Sequence, residues 1–341
     1  MSMDPTVLLI VLLTLSVVIA FGIGANDESM ASVVGSGAIK LKYVLILGVV
    51  LNIIGAVWLG GAVSGTLGND LLISTARGEN YILAIIISTS IFLILSSTKG
   101  LPVSTTVSVV GGVLGVGIYY MIVNNGVNAV YWSGFTEVVL GWVISPILGL
   151  FVSIGIYWLI RKFILTRPKG LRGIEKMEQY FLFGLIGMVI VVSLSRAGND
   201  VGNAVGILTG FTGSLPMNFA DQNVITILLL IGGVGIGCGL FVLGRKVLKN
   251  VGKNILSMRP SDAFAVQTST MIVLLSATLL GLPISGTVIL IFAIIGNSII
   301  KHTRFNKKTV KKIIYSWGLT IPITLAASIG ICALLFAVNP I

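Results

Sequence analysis

Charge is what this chain has least of. Of its 341 residues only 10% are Asp, Glu, Lys or Arg, while 55% are hydrophobic, and the mean hydropathy is +1.06. No soluble core of this size needs such apolarity, so the composition excludes a water-soluble globular protein and leaves a polytopic membrane protein. Cysteine is equally sparse. Cys238 and Cys332 lie inside apolar runs without metal-ligand spacing and read as small apolar side chains. No nucleotide-binding loop and no soluble domain interrupts the runs, which argues against an ATP-driven pump. The first apolar run, 6–23, lacks a basic segment before it (only Asp4 precedes it), so it reads as a mature helix and not a signal peptide.

What is present instead is glycine, 42 residues of it, a type common in membrane-spanning helices because it lets them approach closely. The net charge is +11, but the bases gather in three clusters between apolar spans. Arg161, Lys162, Arg167, Lys169, Arg172 and Lys176 form one; Arg245, Lys246, Lys249, Lys253 and Arg259 form another; Lys301, Arg304, Lys307, Lys308, Lys311 and Lys312 form the third. Segments 124–136 and 213–222 contain no Lys or Arg. This is the pattern of loop orientation in a membrane, not of nucleic-acid binding; it places the basic loops in the cytoplasm and the bare ones outside.

The apolar stretches run about 6–24, 43–63, 81–98, 103–123 and 138–160, then 180–195, 223–244, 263–280, 283–300 and 313–338. Most approach the roughly 20 residues that a helix needs to cross the hydrocarbon. Threading them through the charge pattern puts both termini outside, with five spans on each side of the central basic loop. An odd number per half inverts the second half relative to the first. The expected fold is therefore an all-α polytopic cell-membrane protein with two inverted repeats, 1–160 and 179–341, joined by a cytoplasmic linker, 161–178. Segments 27–39 and 200–212 are shorter and rich in Gly, Ser and Ala, and are expected to be re-entrant or broken helical pieces. Charge alone does not separate full crossings from hairpins at the segments flanking residues 100 and 281.

Two pairs of polar words recur in the same order in the two halves. Gly24-Ala25-Asn26-Asp27 is matched by Ala197-Gly198-Asn199-Asp200, and Gly100-Leu101-Pro102-Val103-Ser104-Thr105-Thr106 by Gly281-Leu282-Pro283-Ile284-Ser285-Gly286-Thr287. Polar groups are costly inside apolar runs, so repeating them points to one site built from two related halves, as in a secondary transporter. A helix starting after Pro102 presents free N–H groups and the hydroxyls of Ser104, Thr105 and Thr106; Ser285, Gly286 and Thr287 offer the matching half. Together they suit a tetrahedral oxyanion. The bland alternative is that the prolines kink helices and the hydroxyls bond back within them. Asp27 and Asp200, with Asn26 and Asn199 beside them, are hard oxygen donors of the kind that bind Na⁺. Arg196 either pairs with Asp200 or faces the anion. Gln267 serves the ion or cross-links two helices. Lys99 is expected to snorkel to the inner surface. Glu28, directly after Asp27, would point elsewhere on a helix.

The ordered words resemble the inorganic phosphate transporter family, whose halves carry GANDVANA-like and GLPVSTTH-like motifs. The resemblance extends through Val34-Gly35-Ser36-Gly37-Ala38, Trp142-Val143-Ile144-Ser145-Pro146, the run from Asn199 to Gly206 and Arg259-Pro260-Ser261-Asp262-Ala263-Phe264-Ala265. It implies phosphate uptake coupled to Na⁺ or H⁺, an inverted repeat and a homodimer. It also implies that Asp27 and Asp200 with Asn26, Asn199 and Asn203 serve the ions and the phosphate, and that Ser104, Thr105, Thr106, Ser285 and Thr287 bind phosphate. The chain departs from the pattern in several places. The first word continues as Glu28-Ser29-Met30 and falls two residues short; Val107 and Val288 stand where the pattern has His; Gly286 replaces a threonine; and Arg196 replaces the His before the second Asn-Asp word. Loss of groups that titrate near neutrality favours Na⁺ over H⁺.

The reading is thus a Na⁺-coupled phosphate symporter working by alternating access, without a cofactor and not an enzyme. H⁺ coupling, or sulfate as substrate, is the alternative. An intramembrane aspartyl protease using Asp27 and Asp200 is more remote, since it leaves the Ser-Thr words unexplained. A passive anion channel leaves the paired acids unexplained.

Overall fold

The computed structural model describes residues 4–166, 170–210, 221–254, 258–303 and 307–338. In a bilayer every backbone polar group needs an internal partner, which favours helices. Among the described residues the regular structure is helical, with one isolated bridge between Leu72 and Val130. The helices are α1 (Pro5–Ala25), α2 (Ala31–Gly35), α3 (Leu41–Asn69), α4 (Glu79–Thr98), α5 (Thr105–Val123) and α6 (Trp132–Ile160). They continue with α7 (Gly170–Thr209), α8 (Gln222–Gly239), α9 (Arg245–Asn254), α10 (Pro260–Leu279), α11 (Gly286–Ile300) and α12 (Lys307–Val338). Nine helical stretches among the described residues are long and apolar enough to cross a membrane, and the 15-residue α11 is a shorter apolar helix. The chain is a multi-pass membrane protein, as its composition requires.

Local sequence sets the helix starts. Asp4 accepts hydrogen bonds from the N–H groups of Thr6 and Val7, with Pro5 opening α1. Asp221 caps α8, and Ser104 and Ser285 cap α5 and α11.

Two expectations are corrected. The segment after the second Asn-Asp word is no separate piece: through residue 209 it continues α7, a 40-residue helix about 60 Å long. No proline falls between 196 and 209, and Asn199 and Asp200 find side-chain partners in Thr278 and Thr105 without opening the backbone. Only the first word sits at a break, between α1 and the five-residue α2. The described part of 161–178 is not an open loop either. A wide helical turn, Arg161–Leu165, extends α6, and α7 already starts at Gly170. Parts of the expected loops, at 167–169, 211–220 and 304–306, lie outside the described residues.

The helices of the two halves pack on each other through small residues. α3 lies along α7, α1 along α8, α6 against α10 and α11, and α12 against α4 and α5. A Cβ at Gly24 would come within 1.8 Å of the Ile236 carbonyl oxygen; at Gly55, 2.4 Å from that of Leu194; at Gly115, 2.5 Å from that of Leu325; at Gly296, 2.4 Å from that of Leu150. These contacts explain the glycine content, because helices in lipid associate by close backbone approach.

The two Gly-Leu-Pro segments are tips of helical hairpins. Residues before α4 and after α5 are joined by Ile73 N–H to the Ala129 carbonyl and Tyr131 N–H to the Leu71 carbonyl, each at 3.0 Å. This hairpin therefore starts and ends on one side. Its tip contacts α9, where Asn250 donates to the Gly100 carbonyl at 2.9 Å. The α10–α11 hairpin is closed at its base by the Asp262–Lys301 ion pair, and its tip contacts α3, where Thr66 donates to the Gly281 carbonyl at 2.8 Å. Gly100 and Gly281 adopt φ of +66° and +70°, a region that glycine enters without the Cβ clash. That conformation lets each chain turn out of its helix and run extended toward the next N-terminus.

Candidate functional site

The extended tips bring the N-termini of α5 and α11 together. Thr106 Oγ1 donates to the Ile284 carbonyl at 3.1 Å, joining one tip to the other. Each Asn-Asp word supports the tip of its own half through its asparagine. Asn26 Nδ2 donates to the Val103 carbonyl and its Oδ1 accepts from Val103 N–H at 3.2 Å. Asn199 Nδ2 donates to the Leu282 carbonyl at 2.9 Å and to Thr278 Oγ1 at 3.3 Å.

At this junction lies Arg196, 4% exposed, with Asp27 at 3%, Glu28 at 0% and Asp200 at 5%. Its Nε donates to Asp200 Oδ2 at 3.1 Å and lies 3.5 Å from Asp27 Oδ1. Its Nη1 donates to Glu28 Oε1 at 2.6 Å, and its Nη2 to Thr287 Oγ1 at 2.9 Å. Asp200 Oδ1 also accepts from Thr105 Oγ1 at 2.9 Å. Asp27 accepts from Ser29 N–H at 2.8 Å and from Asn52 Nδ2 at 3.4 Å. Three carboxylates face one guanidinium in a buried site. Burying charge costs several kcal/mol per ion unless it is compensated, and Arg196 is the cation that the three carboxylates share.

The structure brings Asp27, Asp200, Arg196, Thr105 and Thr287 into one network, and next in the chain to Thr105 the Thr106 Oγ1 lies 3.3 Å from Asn203 Nδ2. Arg196 pairs with Asp200, one of the two roles its position left open, and with Glu28 as well. Other expectations shift. Ser104 and Ser285 Oγ accept from the N–H of Val107 and Val288 at 3.2 and 3.4 Å, so they cap helices. Both amide atoms of Asn26 are engaged by Val103. Gln267 cross-links α10 to the break, donating to the Ser29 carbonyl at 3.1 Å and to Ser32 Oγ at 2.6 Å. Among the described residues no group of three or more His, Cys, Asp or Glu is placed to hold a metal ion; the carboxylates converge on the arginine instead. Buried oxygens without a hydrogen-bond partner remain on Asn199 (Oδ1), Asn203 (Oδ1), Gln267 (Oε1) and Glu28 (Oε2). Lys99 is exposed and outside the network.

Glu28 is the residue the sequence undervalued. A direction away from Asp27 presumes a helix, yet α1 ends at Ala25 and Asp27–Glu28 is non-helical. Both carboxylates can then face the same guanidinium. The signal was the break itself, which both the shortened word and its Gly and Ser content announce. Asn52 and Thr278 were also missed, because isolated polar residues in apolar runs carry no spacing of their own.

Known proteins resemble this chain over most of its length. The model of the phosphate transporter family matches residues 23–328. A "Putative phosphate permease" of Pyrococcus abyssi is 28% identical over 395 residues, covering 95% of this chain and 96% of the relative. The Arabidopsis thaliana "Inorganic phosphate transporter 2-1, chloroplastic" is 28% identical over 403 residues, covering 89% of this chain and 68% of the relative. A solved structure, "The sodium-dependent phosphate transporter", superposes with a TM-score of 0.87 at 28% identity, covering 97% of this chain and 100% of the other. A transporter and not an enzyme, which sets the aspartyl protease reading aside, the chain belongs to the phosphate transporter family.

Proposed function

We propose that this chain is a Na⁺-coupled importer of inorganic phosphate that works by alternating access. The observation that carries the proposal is the buried excess of two carboxylates where the two hairpin tips meet. An anion entering that site is repelled until cations offset the charge, which couples the two fluxes for a physical reason. The sodium dependence of the structural neighbour supports Na⁺ as the cation. Asp27 and Asp200 hold the cations, helped by the free oxygens of Asn199, Asn203 and Gln267. Thr105, Thr106, Thr287 and the backbone around Gly286, with Arg196, hold the phosphate. Ser104 and Ser285 aim the two helix N-termini at it. No cofactor enters this scheme.

The halves 1–160 and 179–341 are read as inverted repeats that rock against each other, with 161–178 between them. What supports this is the exchange of packing partners. If α1 corresponds to α7, α3 to α8, α4–α5 to α10–α11 and α6 to α12, then the most extensive cross-half contacts have counterparts, α1 on α8 for α3 on α7, α6 on α11 for α12 on α5 and α6 on α10 for α12 on α4. In the cell membrane the basic segments face the cytoplasm and the termini the outside, and the protein assembles as a homodimer.

The test is radiolabelled phosphate uptake into proteoliposomes under an inward Na⁺ or an inward H⁺ gradient, with sulfate as competitor. Concentrative uptake driven by Na⁺ alone is expected. Uptake driven only by H⁺ would make Asp27 and Asp200 proton carriers, and transport of sulfate without phosphate would move the substrate.

A further inference from the structure

Three departures from the motif pattern meet in a single contact. Arg196 stands where the pattern has a histidine, Glu28 lies in the shortened first word, and Gly286 replaces the threonine that the first copy has at Thr105. A Cβ at residue 286 would lie 2.9 Å from Arg196 Nη1 and 3.3 Å from its Cζ. The missing side chain is thus what gives the guanidinium its place. Glu28 Oε1 takes Nη1 at 2.6 Å, the shortest contact in the cluster, while Glu28 Oε2 is buried without a hydrogen-bond partner. Asp27 and Asp200 have other donors besides Arg196, from Ser29, Asn52 and Thr105. Arg196 is thus the close partner of Glu28, with Thr287 beside it, whereas the aspartates are also bound from α3, α5 and the break.

We propose that Arg196 is a tethered cation that competes with Na⁺ for Asp27 and Asp200, and that Na⁺ binding hands it over to phosphate. Guanidinium carries five N–H donors in a fixed fork that fits oxyanions. In the arrangement seen, Nε faces both aspartates and Nη2 faces Thr287. Monovalent cations arriving on the aspartates neutralise the charges that hold Nε. Glu28 keeps Nη1 and so keeps the side chain at the site, while Nε and Nη2 turn to the phosphate oxygens beside Thr287. Order follows from this exchange: cation first, anion second. The inference rests on the Na⁺–phosphate reading above and adds to it the group that links the two ligands.

The competition makes a prediction in opposite directions for one substitution. Arg196→Gln removes a positive charge 3.1 and 3.5 Å from the aspartate oxygens, where charges a few ångströms apart interact strongly. Na⁺ binding to the purified protein without phosphate, followed by Na⁺-dependent thermal shift in detergent, should then tighten by about tenfold or more. The phosphate KM in proteoliposomes should rise by a similar factor. Unchanged or weakened Na⁺ binding would overturn the proposal, since a merely structural arginine gives no reason for tightening. Glu28→Gln decides the matter independently should Arg196→Gln not fold. With its tether gone, Arg196 pairs more fully with the two aspartates, so Na⁺ binding without phosphate should weaken, opposite to Arg196→Gln, and the phosphate KM at saturating Na⁺ should rise. Na⁺ binding as tight as in the parent protein, or tighter, refutes the exchange. If the parent protein itself shows no Na⁺-driven phosphate uptake, the underlying functional reading fails; if it does and both variants respond like the parent, only the exchange fails.

Discussion

Replacing Asp200 with asparagine keeps the shape of the side chain and removes one unit of charge from the cluster. The carboxylate accepts from Arg196 Nε at 3.1 Å and from Thr105 Oγ1 at 2.9 Å, one donor on each oxygen. Asparagine can accept only one of these, and its NH₂ must face the other donor. Hydrogen bonds to charged groups contribute about 1.5–3 kcal/mol each. Folding should survive, because Arg196 retains Glu28 at 2.6 Å and Asp27 at 3.5 Å. Transport should not. The carboxylates facing the guanidinium fall from three to two, and on the proposed function a cation loses an anionic ligand. A loss of about 3 kcal/mol in cation binding is on the order of a hundredfold. Phosphate uptake by proteoliposomes measured across a Na⁺ series should show half-activation displaced by roughly that factor, on the same conversion, with no accumulation at Na⁺ levels that saturate the parent. Asp27→Asn should behave alike. Preserved uptake with unchanged Na⁺ dependence would refute the assignment of these carboxylates to the cation.

Thr105→Val removes the hydroxyl that touches Asp200 and takes a donor from the helix end that faces the anion. Phosphate KM should rise about 10- to 100-fold, the equivalent of about 1.5–3 kcal/mol for a hydrogen bond to a charged partner; a normal KM in uptake assays would remove the hydroxyls from the binding site. Gly24→Ala places a methyl 1.8 Å from the Ile236 carbonyl oxygen, whereas a Cβ at Gly61 meets nothing within 4 Å. Thermal unfolding in detergent should show Gly24→Ala destabilised by about 3 kcal/mol or more and Gly61→Ala within about 1 kcal/mol of the parent; equal effects would mean that α1 and α8 are not in backbone contact. Gly100→Ala forces a residue with a Cβ into φ of +66° and brings that Cβ 2.5 Å from Asn250 Nδ2. It should cost about 1–2 kcal/mol from the dihedral alone and lower uptake by displacing the tip, and unaltered stability would show that the tip does not need its left-handed glycine.

The membrane class, the helical fold and the pairing of the two polar words were legible in the order of residues, because each rests on a local rule. Apolar length sets a crossing, proline and glycine set a break, and a repeated Asn-Asp or Ser-Thr word marks where polar groups are tolerated. The same local logic misled at residue 200, where a Gly- and Ala-rich segment looked like a broken piece but continues α7. It misled again at Glu28, whose direction was judged from helix geometry in a stretch that is not helical.

Which groups face one another was decided only by the tertiary structure. Arg196 and Asp200 are one helical turn apart, and their pairing could be imagined from spacing. Glu28 is 168 residues away from Arg196 and Thr287 is 91 away, and no periodicity links them. The same holds for the tip contacts of Asn26 with Val103 and of Asn199 with Leu282, which link residues 77 and 83 positions apart. The order of residues alone was enough to establish that this protein lies in a membrane and carries two recurring pairs of polar words, because burial in lipid acts on every residue through its own composition and neighbours. Only the folded structure decided that the site is organised around a guanidinium held by three carboxylates, because charge pairing depends on distance in space, and the packing of α3 on α7 and the meeting of two hairpin tips set those distances.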